Sequence, residues 1–222
     1  MKHLTPKIYI FISIFFLSAI TASTSINGPT GLITIPSAES LEYKEYSLGF
    51  DYLANGPKNE FKYKLNLGTF ENWELGVVNI GTKDKKTQEG MYLNIKYYLM
   101  SDASENPLSI ALGSENLSSK NKTNIYMIAS KKIRTDTGLH FGFKATFEEK
   151  QVKPILLLGT NYFFNETIEI LSDLNGEGTN YKANIGTRLF INEHANIQFY
   201  ILNLFNPKEI LYSIGFSISK FM

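Results

Sequence analysis

The chain has 222 residues, of which 43% are hydrophobic and 14% are aromatic, and its formal net charge is +1. This composition is too apolar for a disordered protein and gives no general attraction to nucleic acid, so we expect one folded domain with no nucleic-acid partner. The sequence has no cysteine, which excludes a disulfide framework and a lipid-anchor cysteine.

Residues 1–25 have the pattern of a secretory signal peptide. Basic residues precede the apolar run 8–20, and small residues follow it at 21–25. The apolar run is shorter than the roughly 20 residues that a membrane-spanning helix needs. We therefore predict that the chain is exported and that this peptide is cleaved off.

Residues 26–45 contain two prolines and two glycines, a composition that excludes a helix or a central strand. The sequence predicts an N-terminal lead-in here, ahead of the main domain. Two interpretations are open: a fixed segment at the periplasmic mouth of that domain or tucked into it, or a plain tether.

From residue 46 onward, apolar and polar residues alternate in short runs. The runs recur about every 12 to 18 residues, which is typical of strands joined by hairpins. The pattern predicts strands at 46–53, 60–67, 73–80, 91–100, 108–117, 123–133, 138–149, 155–164, 167–174, 180–191, 196–205 and 210–221.

The last of these runs places Tyr212, Ile214 and Phe216 on one face and small polar residues on the other. We expect it to pair with the first strand, because an open sheet edge in lipid would leave N–H and C=O groups unsatisfied. The predicted fold class is all-β: a single antiparallel up-and-down transmembrane β-barrel of about 12 strands over residues 46–222, located in a Gram-negative outer membrane.

Barrel size decides which face meets lipid. A barrel of about twelve strands encloses more space than side chains fill, so an apolar lumen would leave cavities. We therefore expect the rings of Phe141, Phe143 and Phe216 to face lipid. Lys144 and Arg188 are then expected to face the lumen. A soluble two-sheet sandwich, whose strands also alternate, stays open as an alternative.

The polar face carries charges of both signs. One interpretation is structural, with opposite charges pairing inside the barrel; the other is a mildly cation-lined pore for small anions or sugars. The lumen-lining candidates are Lys62, Lys64, Glu74, Lys96, Lys132, His140, Lys144, Glu148, Glu169, Lys182 and Arg188.

His140 is the only histidine within a predicted strand interior. The sequence shows no nucleophile elbow and no histidine–serine pair around it, so we predict that the protein is not an enzyme and has no catalytic residue. No zinc-ligand spacing is present either, and we expect neither a metal nor a cofactor.

The lead-in resembles the opening of the YjbH-domain family of outer-membrane proteins, which is associated with exopolysaccharide production. The resemblance lies in the run 28–39, followed by 46–50, and 180–188 also resembles strands of that family. It implies an outer-membrane barrel and no catalytic residue in the opening motif. The motif residues are Gly28, Thr30, Gly31, Pro36, Ser37 and Ala38.

With this resemblance, the favoured function is an envelope protein that assists exopolysaccharide export or assembly. Its expected partners are outer-membrane lipid, polysaccharide and export-machinery proteins. The alternative is a narrow passive porin-like channel for small anions or sugars. An outer-membrane lipid-modifying enzyme is the third and least favoured hypothesis.

Overall fold

The computed structural model describes residues 23–55, 59–82, 90–100, 108–119, 122–148 and 151–222; of the predicted signal peptide 1–25, residues 1–22 lie outside these ranges. Within these ranges the chain forms twelve strands and one short 3-10 helix, Pro207–Glu209. The strands are β1 Glu45–Ala54, β2 Glu60–Phe70, β3 Trp73–Thr82, β4 Met91–Met100, β5 Ser109–Glu115, β6 Lys122–Arg134, β7 Thr137–Glu148, β8 Gln151–Phe163, β9 Ile168–Glu177, β10 Asn180–Asn192, β11 Ala195–Leu202 and β12 Leu211–Phe221.

The strands form one closed antiparallel barrel. Each strand pairs with its neighbours in sequence, and β1 pairs with β12 from Glu45↔Phe221 to Ala54↔Tyr212. The predicted fold class is therefore confirmed, and the sandwich alternative is wrong. We call the end of the barrel where β1 begins and β12 finishes the terminal end, and the opposite end the far end.

Several strand boundaries differ from the sequence prediction by three or four residues, and two of these differences have a clear cause. β8 begins at Gln151 rather than at 155, although Pro154 lacks a backbone N–H. Pro154 is tolerated because β9 pairs with β8 only from Leu156 onward, so this stretch has a partner on one side alone. β11 ends at Leu202, because Asn203 turns the chain with a φ of 62°.

The outer surface of the barrel is apolar and the inner surface is polar. Phe143 is 60% exposed, whereas the adjacent Lys144 is only 9% exposed and points inward. Phe141 and Phe216 also face outward, and Arg188 is buried inside. The predicted assignment of the faces is thus confirmed, and the side chains that lipid would wet are those of a transmembrane barrel.

Aromatic side chains lie near both ends of this outer surface. Near the terminal end, the ring centroids of Trp73 and Tyr97 are 4.7 Å apart. Near the far end, those of Tyr52 and Phe61 are 4.8 Å apart. Such girdles mark the two interfaces between membrane and water in transmembrane barrels. Among the described residues, no helix is long and apolar enough to cross a membrane.

We call residues 23–44 the plug; residues 23–41 lie inside the barrel rather than only at its mouth, and 42–44 are exposed at the terminal end. Residues 23–25, which the sequence prediction assigned to the signal peptide, pack with the rest of the plug. Ile26, Leu32, Ile33 and Ile35 are all buried there. The plug joins β1 at the terminal end, where Lys44 N donates to Gly68 O. The sequence prediction left two positions open for the lead-in 26–45, a fixed segment at the mouth or tucked into it and a plain tether; the structure takes this segment to mid-barrel, and Glu45 belongs to β1.

Candidate functional site: the plugged lumen

The plug is folded into compact turns by its own backbone. Ser25 N donates to Pro29 O at 2.8 Å, Leu32 N to Ile35 O at 3.0 Å, and Gly31 N to Ser23 O at 2.9 Å. These bonds fold the chain back on itself. Ser23, the first residue of the plug, therefore lies toward the terminal end, where Lys44, its last residue, also lies. The prolines and glycines of the opening motif therefore serve turn formation.

Gly28 shows why the turn needs a glycine. Its φ is +114°, a conformation that other residues rarely adopt. A Cβ atom at this position would lie 2.3 Å from Asn94 Nδ2 and 2.4 Å from Val78 Cγ2. Both backbone conformation and contact with the wall thus require glycine.

Glu74 and Lys96 hold the plug at Thr30. The Thr30 backbone N–H donates to Glu74 Oε1 at 2.9 Å, and its hydroxyl donates to Glu74 Oε2 at 2.7 Å. Lys96 Nζ lies 3.3 Å from Glu74 Oε2 and also donates to Thr30 and to the carbonyl oxygen of Glu39. The ion pair is therefore completed by plug atoms, as a buried pair needs if its desolvation is to be offset.

Asp173 binds the tip of the plug. Its Oδ2 accepts from the backbone N–H groups of Ile33, Thr34 and Ile35 at 3.1, 2.6 and 3.2 Å. Asn184 Nδ2 donates to Asp173 Oδ1 at 2.6 Å and fixes the carboxylate. Successive N–H groups that converge on one carboxylate form a strong anion nest.

Arg188 binds the carbonyl groups just before that tip. Its Nη2 donates to Gly31 O and to Leu32 O, both at 2.7 Å. The rest of the guanidinium is occupied by Glu169 at 3.2 Å and by the Tyr200 hydroxyl at 3.0 Å. The planar fork of arginine allows this simultaneous use of several donors.

The β1–β4 side of the wall makes further contacts. Lys64 Nζ pairs with Asp51 at 2.6 Å and donates to Ser25 O at 2.9 Å. Asn66 donates to Gly28 O at 2.6 Å, and Asn94 donates to Asn27 O at 3.2 Å. The plug is therefore hydrogen-bonded to the wall on several sides.

His140 lies in a chain of hydrogen bonds beneath the plug. Ser130 Oγ is 2.7 Å from His140 Nδ1, His140 Nε2 is 3.0 Å from Asn161 Oδ1, and Asn161 Nδ2 donates to Glu169 at 2.9 Å. Glu169 accepts only, so the Asn161 amide orientation is fixed and Nε2 of His140 is the donor. The expectation that no serine accompanies His140 was wrong: Ser130 is its partner across β6 and β7.

A serine–histidine–asparagine chain resembles a hydrolase triad, but its surroundings favour a structural role. Ser130 and His140 are both buried, and Ser130 Oγ accepts the backbone N–H of Ala38 at 2.8 Å. The hydroxyl is thus covered by the plug, and its lone pair is engaged. Active nucleophiles instead face a substrate pocket.

Apolar residues of plug and wall meet in a layer at mid-barrel. Leu32, Ile33 and Ile35 of the plug join a cluster with wall residues that point inward. At Gly159 the fit is so close that an added Cβ would lie 2.8 Å from both Ile35 Cδ1 and Leu32 Cδ2. The wall members of this layer are Ala111, Tyr126, Ile128, Leu157, Leu171 and Tyr200. This apolar layer inside the lumen was not predicted from the sequence.

The structure separates the predicted lumen residues into two groups. Seven are buried in the lumen and engaged in ion pairs or hydrogen bonds: Lys64, Glu74, Lys96, His140, Lys144, Glu169 and Arg188. The other four lie on the inward-facing side near the strand ends and are less buried: Lys62, Lys132, Glu148 and Lys182. All motif residues, Gly28 to Ala38, belong to the plug.

Several inward-facing polar residues that bind the plug, or that pair with residues around it, were missed as lumen-lining candidates, although alternation could have found them. Asp51 follows Glu45, Ser47 and Gly49 at every second position of β1, so it faces inward with them. Asn66, Asn94 and Asn161 alternate in the same way but carry no charge. In the described part of the chain, no cluster of histidine, aspartate or glutamate could hold a metal ion.

The comparisons define the class of fold. No family model and no curated protein matches the sequence. The chain is similar to the KdgM porin, with 14% identity, a TM-score of 0.65, and coverage of 79% of this chain and 99% of that chain.

Two further structures agree. The KdgM porin in complex with disordered oligogalacturonate has 15% identity, a TM-score of 0.61, and coverage of 79% of this chain and 99% of that chain. The NanC porin has 9% identity, a TM-score of 0.55, and coverage of 80% and 99%. The fold is that of porin barrels. At these identities the similarity establishes the fold alone, and the YjbH resemblance stays a prediction.

Proposed function

We propose that this chain is a non-enzymatic channel of the bacterial outer membrane, whose lumen is closed in the described state by its own plug. The observation that carries the proposal is the seating of residues 23–44 between inward-facing side chains of the barrel wall. The apolar outer surface and the similarity to porin folds support a membrane barrel. Solute passage then requires at least partial withdrawal of the plug.

The direction of withdrawal follows from topology. In outer-membrane barrels both chain ends face the periplasm. Both ends of the plug lie toward the terminal end: Lys44 precedes the start of β1, and Ser23 lies beside Asn196 near the start of β11. The plug therefore enters from the periplasmic side and leaves toward it.

The inward-facing charges of the wall are balanced, which favours uncharged solutes such as neutral sugars. Among the described residues, the buried charges are those of Lys64, Lys96, Lys144 and Arg188 against those of Glu45, Asp51, Glu74, Glu115, Glu169 and Asp173. The less buried candidates near the strand ends add Lys62, Lys132 and Lys182 on the basic side and Glu148 on the acidic side. The two signs are equal in number among these residues, so their count supports neither a cation-lined nor an anion-lined pore.

The other hypotheses have weaker support. Assistance in exopolysaccharide export follows from the YjbH resemblance alone, and we retain it as a prediction that gene neighbourhood can test. A lipid-modifying enzyme would need an accessible nucleophile, and Ser130 is covered by Ala38.

Planar-bilayer conductance of a variant whose plug can be fixed by a disulfide tests whether the protein is a channel. The chain has no cysteine, so Thr24→Cys with Gly49→Cys introduces one pair. A Cβ at Gly49 would lie 3.1 Å from Thr24 Oγ1, close to the spacing of about 3 Å between Cβ and the partner sulfur in a disulfide. The flexible end of Lys64 has to shift to accommodate it.

We expect the oxidised double-cysteine variant to show no current and the wild type to be closed most of the time. The double-cysteine variant combined with Arg188→Leu, which loosens the plug, should show current steps only after the disulfide is reduced. Gly49→Cys alone, treated with the same oxidant and reductant, is the control and should not respond. Steady conductance through the oxidised double-cysteine variant, or silence of the reduced and loosened variant, would contradict the proposal.

A further inference from the structure

The wall recognises the plug mainly through main-chain atoms. Lysine, asparagine and arginine side chains donate to its carbonyl oxygens: Lys64 to Ser25, Asn94 to Asn27, Asn66 to Gly28, Lys96 to Thr30, and Arg188 to Gly31 and Leu32. Acidic and hydroxyl side chains accept from its N–H groups: Glu74 from Thr30 and Leu41, Asp173 from Ile33, Thr34 and Ile35, and Ser130 from Ala38.

Few side chains of the plug form hydrogen bonds with the wall. Residues 23–38 include no charged residue. The hydroxyl oxygens of Ser25 and Ser37 are buried and have no hydrogen-bond partner. Ser23, Thr30 and Thr34 are the exceptions: Ser23 Oγ accepts from Asn196, and the hydroxyls of Thr30 and Thr34 donate to Glu74 and Asp173. The remaining contribution is apolar and comes from the leucine and isoleucines of the mid-barrel layer.

This pattern fits a peptide better than a saccharide. A saccharide offers hydroxyls, each both donor and acceptor, whereas the wall presents separate donors and acceptors matched to the C=O and N–H groups of a turning main chain. The apolar layer also requires aliphatic side chains close to those groups, as Leu32, Ile33 and Ile35 supply them. A sugar ring cannot meet both conditions.

We propose that the lumen is a peptide-binding site, occupied in the resting state by the protein's own plug, and that an uncharged, glycine-containing peptide turn of the same backbone shape is the ligand that can replace it. The proposal deepens the proposed function by naming the kind of ligand that would open the channel. It rests on that function only for the consequence that displacement opens a pore; peptide binding itself needs no conduction.

Cleaving the chain between the plug and β1 tests the peptide-binding proposal directly. A recognition site for a sequence-specific endoprotease is inserted between Lys44 and Glu45, next to the exposed residues 42–44. The exported chain is purified in detergent micelles and cleaved, and native mass spectrometry shows whether the released segment stays bound. We expect it to be retained and to exchange with an isotopically labelled synthetic peptide of residues 23–44. Loss of the segment on cleavage would overturn the proposal, whatever the conductance.

Matched variants of the cleaved chain separate backbone recognition from side-chain recognition. Ser25→Ala and Ser37→Ala remove hydroxyls without partners, so the dissociation rate should stay within about twofold of the wild type. Gly28→Ala meets Asn94 and Val78 and should dissociate more than about tenfold faster, corresponding to about 1.4 kcal/mol. Equal rates for Gly28→Ala and wild type would contradict a shape-specific site.

Excess maltoheptaose, a neutral oligosaccharide, provides the final comparison. It should leave the dissociation and exchange rates of the segment unchanged. Displacement by maltoheptaose without displacement by unlabelled peptide would identify a saccharide site and reject the peptide site. Conductance is not measured here, so failure of this proposal is distinguishable from failure of the channel.

Discussion

Arg188 and Asp173 bind adjacent peptide groups of the plug with opposite polarity. Arg188 donates to the carbonyl oxygens of Gly31 and Leu32, and Asp173 accepts from the N–H groups of Ile33 to Ile35. The two side chains come from neighbouring strands, β10 and β9. Together they fix the plug tip at mid-barrel, so they are the positions where single substitutions should loosen the plug most.

Asp173→Asn should loosen the plug while leaving the barrel folded. The variant loses the charge on the acceptor for three backbone N–H groups, and charge-assisted bonds contribute about 1.5–3 kcal/mol each in favourable cases. We expect faster amide hydrogen exchange across residues 30–38. Glu166→Gln, in the exposed turn between β8 and β9, is the control, and exchange rates equal to the wild type in Asp173→Asn would count against the anchoring role.

Arg188→Leu should raise the open probability of the proposed channel more than Arg188→Lys. Leucine leaves Glu169 without its ion-pair partner inside the barrel, and breaking a buried pair costs about 3–5 kcal/mol. Lysine keeps the charge but loses the planar fork that reaches both carbonyls. Single-channel recording measures the order, and a lysine variant leakier than the leucine variant would contradict it.

Gly28→Ala should destabilise the plug, whereas Gly178→Ala should not. Both glycines have positive φ, but the +58° of Gly178 lies in the left-handed helical region, where a Cβ costs about 1–2 kcal/mol, whereas the +114° of Gly28 lies outside it, in a region that is essentially restricted to glycine. In addition, only Gly28 faces atoms that an added Cβ would strike, since Gly178 has open space around it. Limited proteolysis of residues 23–44 in folded protein reports the difference. Equal cleavage in the two variants would contradict the need for glycine at position 28.

Ser130 should not react with a fluorophosphonate probe. Its hydroxyl is bonded to His140 and to the Ala38 N–H, and both side chains are buried. Intact-protein mass spectrometry before and after incubation gives the answer. Labelling that disappears in Ser130→Ala would revive the enzyme hypothesis, and the Arg188→Leu background shows whether loosening the plug exposes the hydroxyl.

Phe143→Lys should cost more folding stability than Phe70→Lys. Phe143 lies in the middle of β7 on the outer surface, whereas Phe70 is the last residue of β2 at the terminal end. A lysine facing lipid costs about 2–4 kcal/mol at the midplane and about 0–1 kcal/mol near the interface. Trp73, the single tryptophan of the chain, reports folding into vesicles by fluorescence. A reversed order would place the lipid midplane elsewhere.

The barrel was predictable from sequence because lipid imposes a local pattern. Every second residue of a strand such as β7 must be apolar, and the alternation of Phe141 and Phe143 with Gly142 and Lys144 is visible without any knowledge of pairing. Closure of β1 onto β12 followed from the need to satisfy both sheet edges.

The plug was not predictable in the same way. Its contacts join residues far apart in sequence, such as Thr30 with Glu74 or Ile33 with Asp173. Most of these contacts use backbone atoms of the plug. Because every residue has the same backbone groups, the amino-acid sequence does not show which of them are bound. The Ser130–His140 pair required the β6–β7 register, which alternation alone does not fix.

The short exposed stretch 42–44 makes the plug a tethered ligand of its own barrel. Fully extended, the residues before it reach about 70 Å, so the segment can leave the lumen completely and stay attached. Reclosure is then intramolecular, and its speed is independent of how dilute the protein is. A free competitor must match a local concentration of the order of millimolar, so we expect any opening of the proposed channel to be brief and to end by itself.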